Sequence, residues 1–440
     1  MSEPPDLILL TLDALRADHL SWHGYDRETP TLDTLADEWL HAPTAISVSS
    51  HTREAMPPLL SGHYPERFAA NGFTQLKTSE TLAGRLRAAG YRTGGFHSNP
   101  YLSRAYGFDA GFDAFDDDLR FGQHKFLALA QQALDKFLLN RGEYYARAPT
   151  INSRSLDWLD DIEGPAFLWN HYMDAHGPYH APECRYAERE QSASDAESLY
   201  RRSWKRPESI TAEERRLLVD SYDDEIRYLD EQLGRFLNAL RERNRFEEAL
   251  IVVTADHGDA FGEHGYFTHP RHLHEELLRV PLFVSPPEGM KTTIEEPVNT
   301  LDVVPTVLDY ARTTHDDLPG TPLVTSDRNI PSRKSVVFAS VAGENEADGV
   351  RRFAARDEHW KVLLEYEVDD DNVLDQRAFD IETDADEQIP LFPDVSDRTN
   401  ALIHRLRQYS RERLNSTTGE QQSVETTAEI DDRLEALGYK

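Results

Sequence analysis

Asp13, Asp256 and His257 hold the same place in the sequence pattern, each at the end of a short apolar run. Asp13 follows LILLTL (Leu7–Leu12), and the Asp256-His257 pair closes ALIVVTAD and leads into a glycine. Asp174 and His176 stand likewise after AFLWNHY (Ala166–Tyr172). In parallel sheets, ligands gather just beyond the carboxyl ends of strands. Carboxylate oxygens with one imidazole suit a hard divalent ion such as Mg, Mn or Ca better than a thiolate-seeking metal. Singly, these residues would read as a helix cap, a turn or a packed histidine. Asp13 and the Asp256-His257 pair together read as ligands of one divalent ion. A second stretch, SVSSHTREAMPPLLSG (Ser47–Gly62), holds five hydroxyl side chains ahead of a double proline and is the place to look for a nucleophile.

The elements that would position these residues alternate as strand and helix, the mark of βαβ units. Leu7–Leu12 reads as a fully buried strand, TGGFHSN near residue 95 as a weaker one, and Ala166–Tyr172 as a strong one. Ala249–Asp256, Val280–Ser285 and Ser335–Ser340 complete one sheet. TLDTLADEWL, SETLAGRLRAAG and a long span from about Thr211 to Asn244 read as helices, and Glu183–Arg206 as a polar surface excursion. Past residue 345 the texture changes. RRFAARDEHWKVLLEYEV reads as two antiparallel strands, VLDQRAFDIETDADEQ as another strand and a turn, and the span from about Ser396 to Glu412 as a helix. STTGEQQSVETTAE is a linker, and EIDDRLEALGYK a short amphipathic helix. The expected fold is α/β: a large, doubly wound, mostly parallel domain over 1–345 and a smaller α+β subdomain over 346–440.

Of 440 residues, 79 are Asp or Glu against 47 Lys or Arg, a formal charge of −32, and only eight of the basic residues are lysine. The acids spread along the whole chain, which points to an acidic skin of the halophilic kind, self-repulsive in dilute buffer and screened in molar salt. Nucleic acid is not an expected partner for so negative a body. The single cysteine, Cys184, excludes an intramolecular disulfide and a cysteine-based metal cluster. No stretch approaches a membrane span, and MSEPPDLILLTLDALRAD lacks a basic lead-in, so the expected location is cytoplasmic. Oligomeric state is not legible.

LILLTLDALRADHLSWHGYDRETPTLDTLA resembles the opening of the sulfatase family within the alkaline phosphatase superfamily. TADHGDAFGEHGYFTHPRHLHEELLRVPLFV resembles that family's second metal segment, and HYMDAHGPY, NTLDVVPTVLDYA and the closing RLEALGYK also fit. The resemblance runs nearly end to end. It implies a large doubly wound domain with the nucleophile at a helix start, and a smaller carboxy-terminal sheet domain. It makes Asp13, Asp256 and His257 metal ligands, with Ala14 standing where many sulfatases have a second Asp. It places His176 and His269 at the substrate, on the anionic group or the leaving oxygen; His264, His272 and His274 lie nearby without a role.

Sulfatases carry Cys or Ser, then any residue, Pro, Ser and Arg, at a fixed distance from a Leu-Leu-Thr-Gly-like end. Matching LLSG (Leu59–Gly62) without a gap puts Thr52 at the nucleophile, also as a metal-side hydroxyl, with Glu54 in place of the proline and Met56 in place of the arginine. The rival alignment takes Ser49 as nucleophile with Arg53 as its partner, and Ser50 stays open beside it. Neither version suits conversion to formylglycine, since threonine cannot form that aldehyde and Ser49 lacks the proline. A plain hydroxyl then has to form a covalent ester that water cleaves, helped by a metal and by a helix amino terminus starting near Pro57. Arg53 is the candidate cation for the anionic group. The expected activity is metal-dependent hydrolysis of small-molecule or glycan sulfate esters. Phosphomonoester or phosphodiester hydrolysis, transfer of a phospho-headgroup, and silent binding of sulfated or phosphorylated glycans are the alternatives.

Overall fold

The computed structural model describes residues 4–68, 76–118, 145–189, 191–342, 349–367, 372–391, 397–416, 430, 431, 433, 434 and 437. Residues 417–429 of the expected linker lie outside them, as does much of the expected terminal helix.

The six residues of Leu7–Leu12 are all buried. Such a run can only sit inside a sheet covered on both faces, and it is the centre of an eight-stranded one. The strand order is Thr292–Thr293, Leu40–His41, Leu282–Ser285, Leu250–Ala255, Leu7–Leu12, Ala166–Tyr172, Arg92–Phe96, Ala114–Asp116. Pairing is parallel except around Leu282–Ser285, which runs antiparallel to both neighbours. Register aligns the strand ends. Leu12 lies level with Tyr172 on one side and Ala255 on the other, so Asp13, Met173 and Asp256 leave the sheet side by side.

Helices cover the sheet as the apolar spacing requires. Ala212–Glu242 starts at a capping box between Thr211 and Glu214, Leu82–Ala88 falls within its expected span, and Pro30–Glu38 begins one residue ahead of its own. The Glu183–Arg206 stretch is more than a surface excursion: Ala193–Lys205 is a helix capped by Ser192, and it buries Ala196, Leu199, Tyr200 and Ser203. Its charges lie on one face only, which a composition-based reading hides.

The expectation for Ser335–Ser340 is overturned. Val337–Ala342 leads a separate four-stranded antiparallel sheet with Val350–Arg356, Trp360–Glu367 and Asn372–Asp380. The helix Asp397–Ser416 packs on that sheet, with Leu402, Ile403, Leu406 and Tyr409 meeting Phe353, Val362, Leu364 and Tyr366. A six-residue apolar strand carries no mark of its sheet; the register available in the following hairpin decides it. No helix among the described residues is long and apolar enough to cross a membrane.

Candidate active site

Asp13, Asp256 and His257 are fully buried and offer donor atoms that all lie within 4.8 Å of one another. Each is aimed by its neighbours. Asp13 Oδ2 accepts from Asn99 Nδ2 at 2.8 Å and lies 3.0 Å from His171 Nε2. Asp256 Oδ1 accepts from the Ala14 and His257 amides at 3.2 and 2.9 Å. Ala14 occupies the left-handed region (φ 58), a strained conformation for a residue with a Cβ. That turn, clamped by the Tyr222 hydroxyl to the Ala14 carbonyl at 2.7 Å, delivers an amide to Asp256. The remaining oxygens, Asp13 Oδ1 and Asp256 Oδ2, are buried with no hydrogen-bond partner among the described residues.

Two orphaned carboxylate oxygens facing one imidazole nitrogen are a donor set that a divalent cation satisfies and a protein donor here does not. His257 completes it. Its Nδ1 lies 2.9 Å from the Gly258 carbonyl, which can only accept, so Nδ1 carries the hydrogen and Nε2 presents its lone pair. Burial alone would raise Asp13, yet His176, His171 and His257 outweigh it and hold that carboxyl well below its usual range. Burial and then Asp13 push Asp256 up; burial lowers His257, but Asp256 and Asp13 overcome it and raise it. The charge of this cluster leans negative, as a cation site should.

A chain of hydrogen bonds stands behind Asp13. Trp169 Nε1 can only donate, and it does so to Thr11 Oγ1 at 3.0 Å. The Thr11 hydroxyl in turn lies 2.9 Å from His171 Nδ1. His171 therefore accepts on Nδ1 and donates from Nε2 to Asp13, the arrangement that leaves Oδ1 pointing forward.

The candidate hydroxyls differ in their surroundings. Thr52 is fully buried, and its Oγ1 is 3.0 Å from His257 Nε2. Ser49 and Ser50 are also buried, but their hydroxyls have no hydrogen-bond partner among the described residues. The helix expected to start near Pro57 runs instead from Thr52 to Ser61, with both prolines inside it. His51 makes the earlier start, its Nδ1 accepting from the Arg53 amide at 3.2 Å. Gly62, at φ 77, ends the helix. Thr52 is thus the first helical residue, where free amides and the helix dipole favour an anion.

His176 and His269 join the cluster. Their ring centroids are 4.9 Å apart, and that of His269 is 4.7 Å from His257. Burial pushes His176 down to about 4 in spite of Asp13, and its Nδ1 meets the Gly177 carbonyl at 2.6 Å. His269 Nδ1 lies 3.1 Å from Asp259 Oδ1, and the other oxygen of Asp259 accepts from the Tyr179 hydroxyl. Arg53 is half-buried with its guanidinium 5.4 Å from the centre of the Tyr101 ring. Glu54 pairs with Arg271 at 3.1 Å, and Met56 is buried. Asp174 stays out of the cluster: it accepts from the Ala148 amide at 3.0 Å and lies 3.6 Å from Arg147.

Asn99, His171, Asp259 and Arg271 are not among the residues expected from sequence. Asn99 ends HSN after the strand Arg92–Phe96, and His171 lies within an apolar strand. Asn99 obeys the strand-end logic that exposed Asp13, so that signal was present, whereas His171, level with Thr11 inside its strand, carries no such mark.

The model of the sulfatase family matches residues 5–313. The chain belongs to the sulfatase family. A second match, to the carboxy-terminal part of N-sulphoglucosamine sulphohydrolase, covers 262–415, and the family lies in the alkaline phosphatase superfamily. The sulfatase YidJ of Escherichia coli K12 is 23% identical over 327 residues, 66% of this chain and 64% of that one. BT4656, solved in complex with its substrate D-glucosamine-2-N,6-O-disulfate, superposes with a TM-score of 0.71 at 18% identity, covering 96% of this chain and all of that one. The phosphonate monoester hydrolase of Agrobacterium radiobacter also gives 0.71, at 17% identity over 93% and 96%. This fold therefore serves both sulfuryl and phosphonyl chemistry.

Proposed function

We propose that this sulfatase-like ester hydrolase cleaves sulfate esters through Thr52, with one hard divalent ion (Ca, Mg or Mn) held by Asp13, Asp256 and His257. The observation that carries the reading is the position of Thr52 Oγ1, 3.0 Å from His257 Nε2 at a helix amino terminus. The bound ion would lower the pKa of the hydroxyl and neutralise ester oxygens. Thr52 Oγ gives its proton to His176 and forms a bond to sulfur as the bond from sulfur to the leaving oxygen breaks. His269, steadied by Asp259, gives that oxygen its proton. Water then attacks the sulfur of the threonine ester, giving one proton to His269, while His176 returns its proton to Thr52 Oγ and hydrogen sulfate is released. His176, kept neutral, is the acceptor in this pair. Arg53 binds the anionic group. Formylglycine has no place here because threonine cannot form it.

Phosphate or phosphonate esters are the second reading, favoured by the unmodified hydroxyl and the phosphonate hydrolase likeness. Sulfated glycans are a reasonable substrate class given BT4656 and its disulfated sugar. The charge of −32 supports a salt-rich setting. Aryl sulfate, aryl phosphate and aryl phosphonate, assayed at molar KCl with Ca, Mg or Mn, test the proposal. Thr52→Ala is expected to lose at least ~10³-fold in kcat, and Ser49→Ala to stay within a few-fold. Equal loss in both variants would refute the assignment. Metal bound with no turnover of any ester would leave a binding protein.

A further inference from the structure

Glu54 and Arg271 stand at equal removes from the two reacting side chains. Glu54 comes two residues after Thr52, and Arg271 two residues after His269. They meet at 3.1 Å, with 6% of the Glu54 side chain and 13% of that of Arg271 exposed. Glu54 belongs to the first turn of the Thr52–Ser61 helix, where its amide donates to the His51 carbonyl at 2.9 Å. Its other oxygen lies 3.6 Å from His51 Nδ1. That nitrogen accepts the Arg53 amide and so has no hydrogen to offer. Arg271 is therefore the cation that compensates this buried carboxylate.

The segment that carries His269 needs holding. Thr268 sits in the left-handed region at φ 63, which is costly for a β-branched residue and persists only where the surroundings enforce it. Beyond His269 the chain is stiff. Pro270 fixes its own φ, and the His272 amide turns back to the Pro270 carbonyl at 2.7 Å, so a displacement of Arg271 is passed to His269. The carboxy-terminal sheet grips the same residue from the other side. Arg352, on the strand Val350–Arg356, donates from Nη1 to the Arg271 carbonyl at 3.0 Å. Its own guanidinium is held at 2.8 Å by Glu365, directly opposite on the next strand.

We propose that Arg271 is a positioning residue: braced between Glu54 and Arg352, it sets the place of His269 relative to Thr52. Through it the carboxy-terminal sheet acts on the reaction without touching the ester. The inference rests on Thr52 as nucleophile and His269 as the proton donor to the leaving oxygen. It also gives Glu54 a task that a proline at that position could not perform, since proline has no charge with which to hold Arg271.

Glu54→Gln, Arg271→Met and the double variant test the brace, assayed in molar KCl on phenyl and 4-nitrophenyl sulfate or on the matching phosphates. A misplaced proton donor matters most where the leaving oxygen is basic. Each single variant should lose ~10–100-fold in kcat on the phenyl ester and only a few-fold on the 4-nitrophenyl ester, with KM little changed. The double variant should match the worse single one, because both break the same contact. Should Glu54→Gln or Arg271→Met not fold, Arg352→Met decides, with the same bias toward the phenyl ester expected. Equal losses on both esters, a rise in KM alone, or losses that multiply in the double variant would overturn the brace. If the wild type cleaves none of these esters, the proposed function fails and the brace is read without turnover. In protein carrying ¹³C-labelled histidine, the His269 ring signal, assigned by its absence in His269→Gln, should shift in Arg271→Met and in Arg352→Met. An unmoved signal in both would refute it.

Discussion

Thr11→Val tests whether Asp13 is aimed from behind. Valine fits the strand and keeps the shape of threonine, so the change removes only the hydroxyl between Trp169 Nε1 and His171 Nδ1. Thr11 and both partners are buried, so two neutral polar groups lose their bonds with no water to replace them. At about 1–3 kcal/mol for each orphaned group, less about 1 kcal/mol for the methyl gained, the variant should be about 1–5 kcal/mol less stable. The larger effect is on the metal. Without the Thr11 hydroxyl, His171 is no longer held in the tautomer that donates to Asp13, and outer partners of this kind govern roughly 10–100-fold in metal affinity. The assay is competition with a chelating indicator at fixed molar KCl, beside a thermal melt in EDTA. Thr11→Ser is the control: it keeps the hydroxyl, deletes a methyl, costs about 1 kcal/mol of stability and should bind metal as the wild type does. Wild-type affinity in Thr11→Val, or an equal loss in Thr11→Ser, would refute the relay.

Asp174 gives a pH prediction of definite sign. Burial, aided by Glu225 and opposed by Arg147, raises it to about 7 from 3.8, so the folded chain holds a proton that the unfolded chain releases near pH 4. Its contribution to stability is full below that pH and is lost as pH rises through about 7, on the order of 4 kcal/mol at most. Asp174→Asn should flatten this fall in urea midpoints between pH 4.5 and 8, because Arg147 retains Glu225 at 2.8 Å; an unchanged slope would count against it. Gly258→Ala forces a Cβ to within 2.0 Å of the Glu276 carbonyl, and His257 must move. Activity should fall with stability, by about 1–3 kcal/mol for the overpacking, and normal metal affinity in this variant would show that the contact yields.

Legibility in the sequence is a matter of range. Leu7–Leu12 and Leu250–Ala255 announce themselves because a strand buried on both faces must be apolar throughout, and whatever ends it stands at the sheet's carboxyl edge. That local rule found Asp13, Asp256 and His257, which the fold brings within 4.8 Å. It misled at Asp174, which obeys the same pattern but turns to the Ala148 amide. It misplaced Val337–Ala342, expected in the same sheet, because the residues of that strand fit either one.

The nucleophile stretch shows the same division most sharply. Spacing to LLSG selected Thr52, a statement about local helix geometry, while the prolines suggested the wrong helix start because His51 supplies a cap that no helix-start rule favours. Glu54 and Met56 looked like the loss of a motif. In the fold, Glu54 faces Arg271, a cation from the same segment as His269, at 3.1 Å. A motif read along the chain counts only the residues it contains. What the fold carries to a buried residue stays outside such a count, and here that is Arg271, the partner of Glu54.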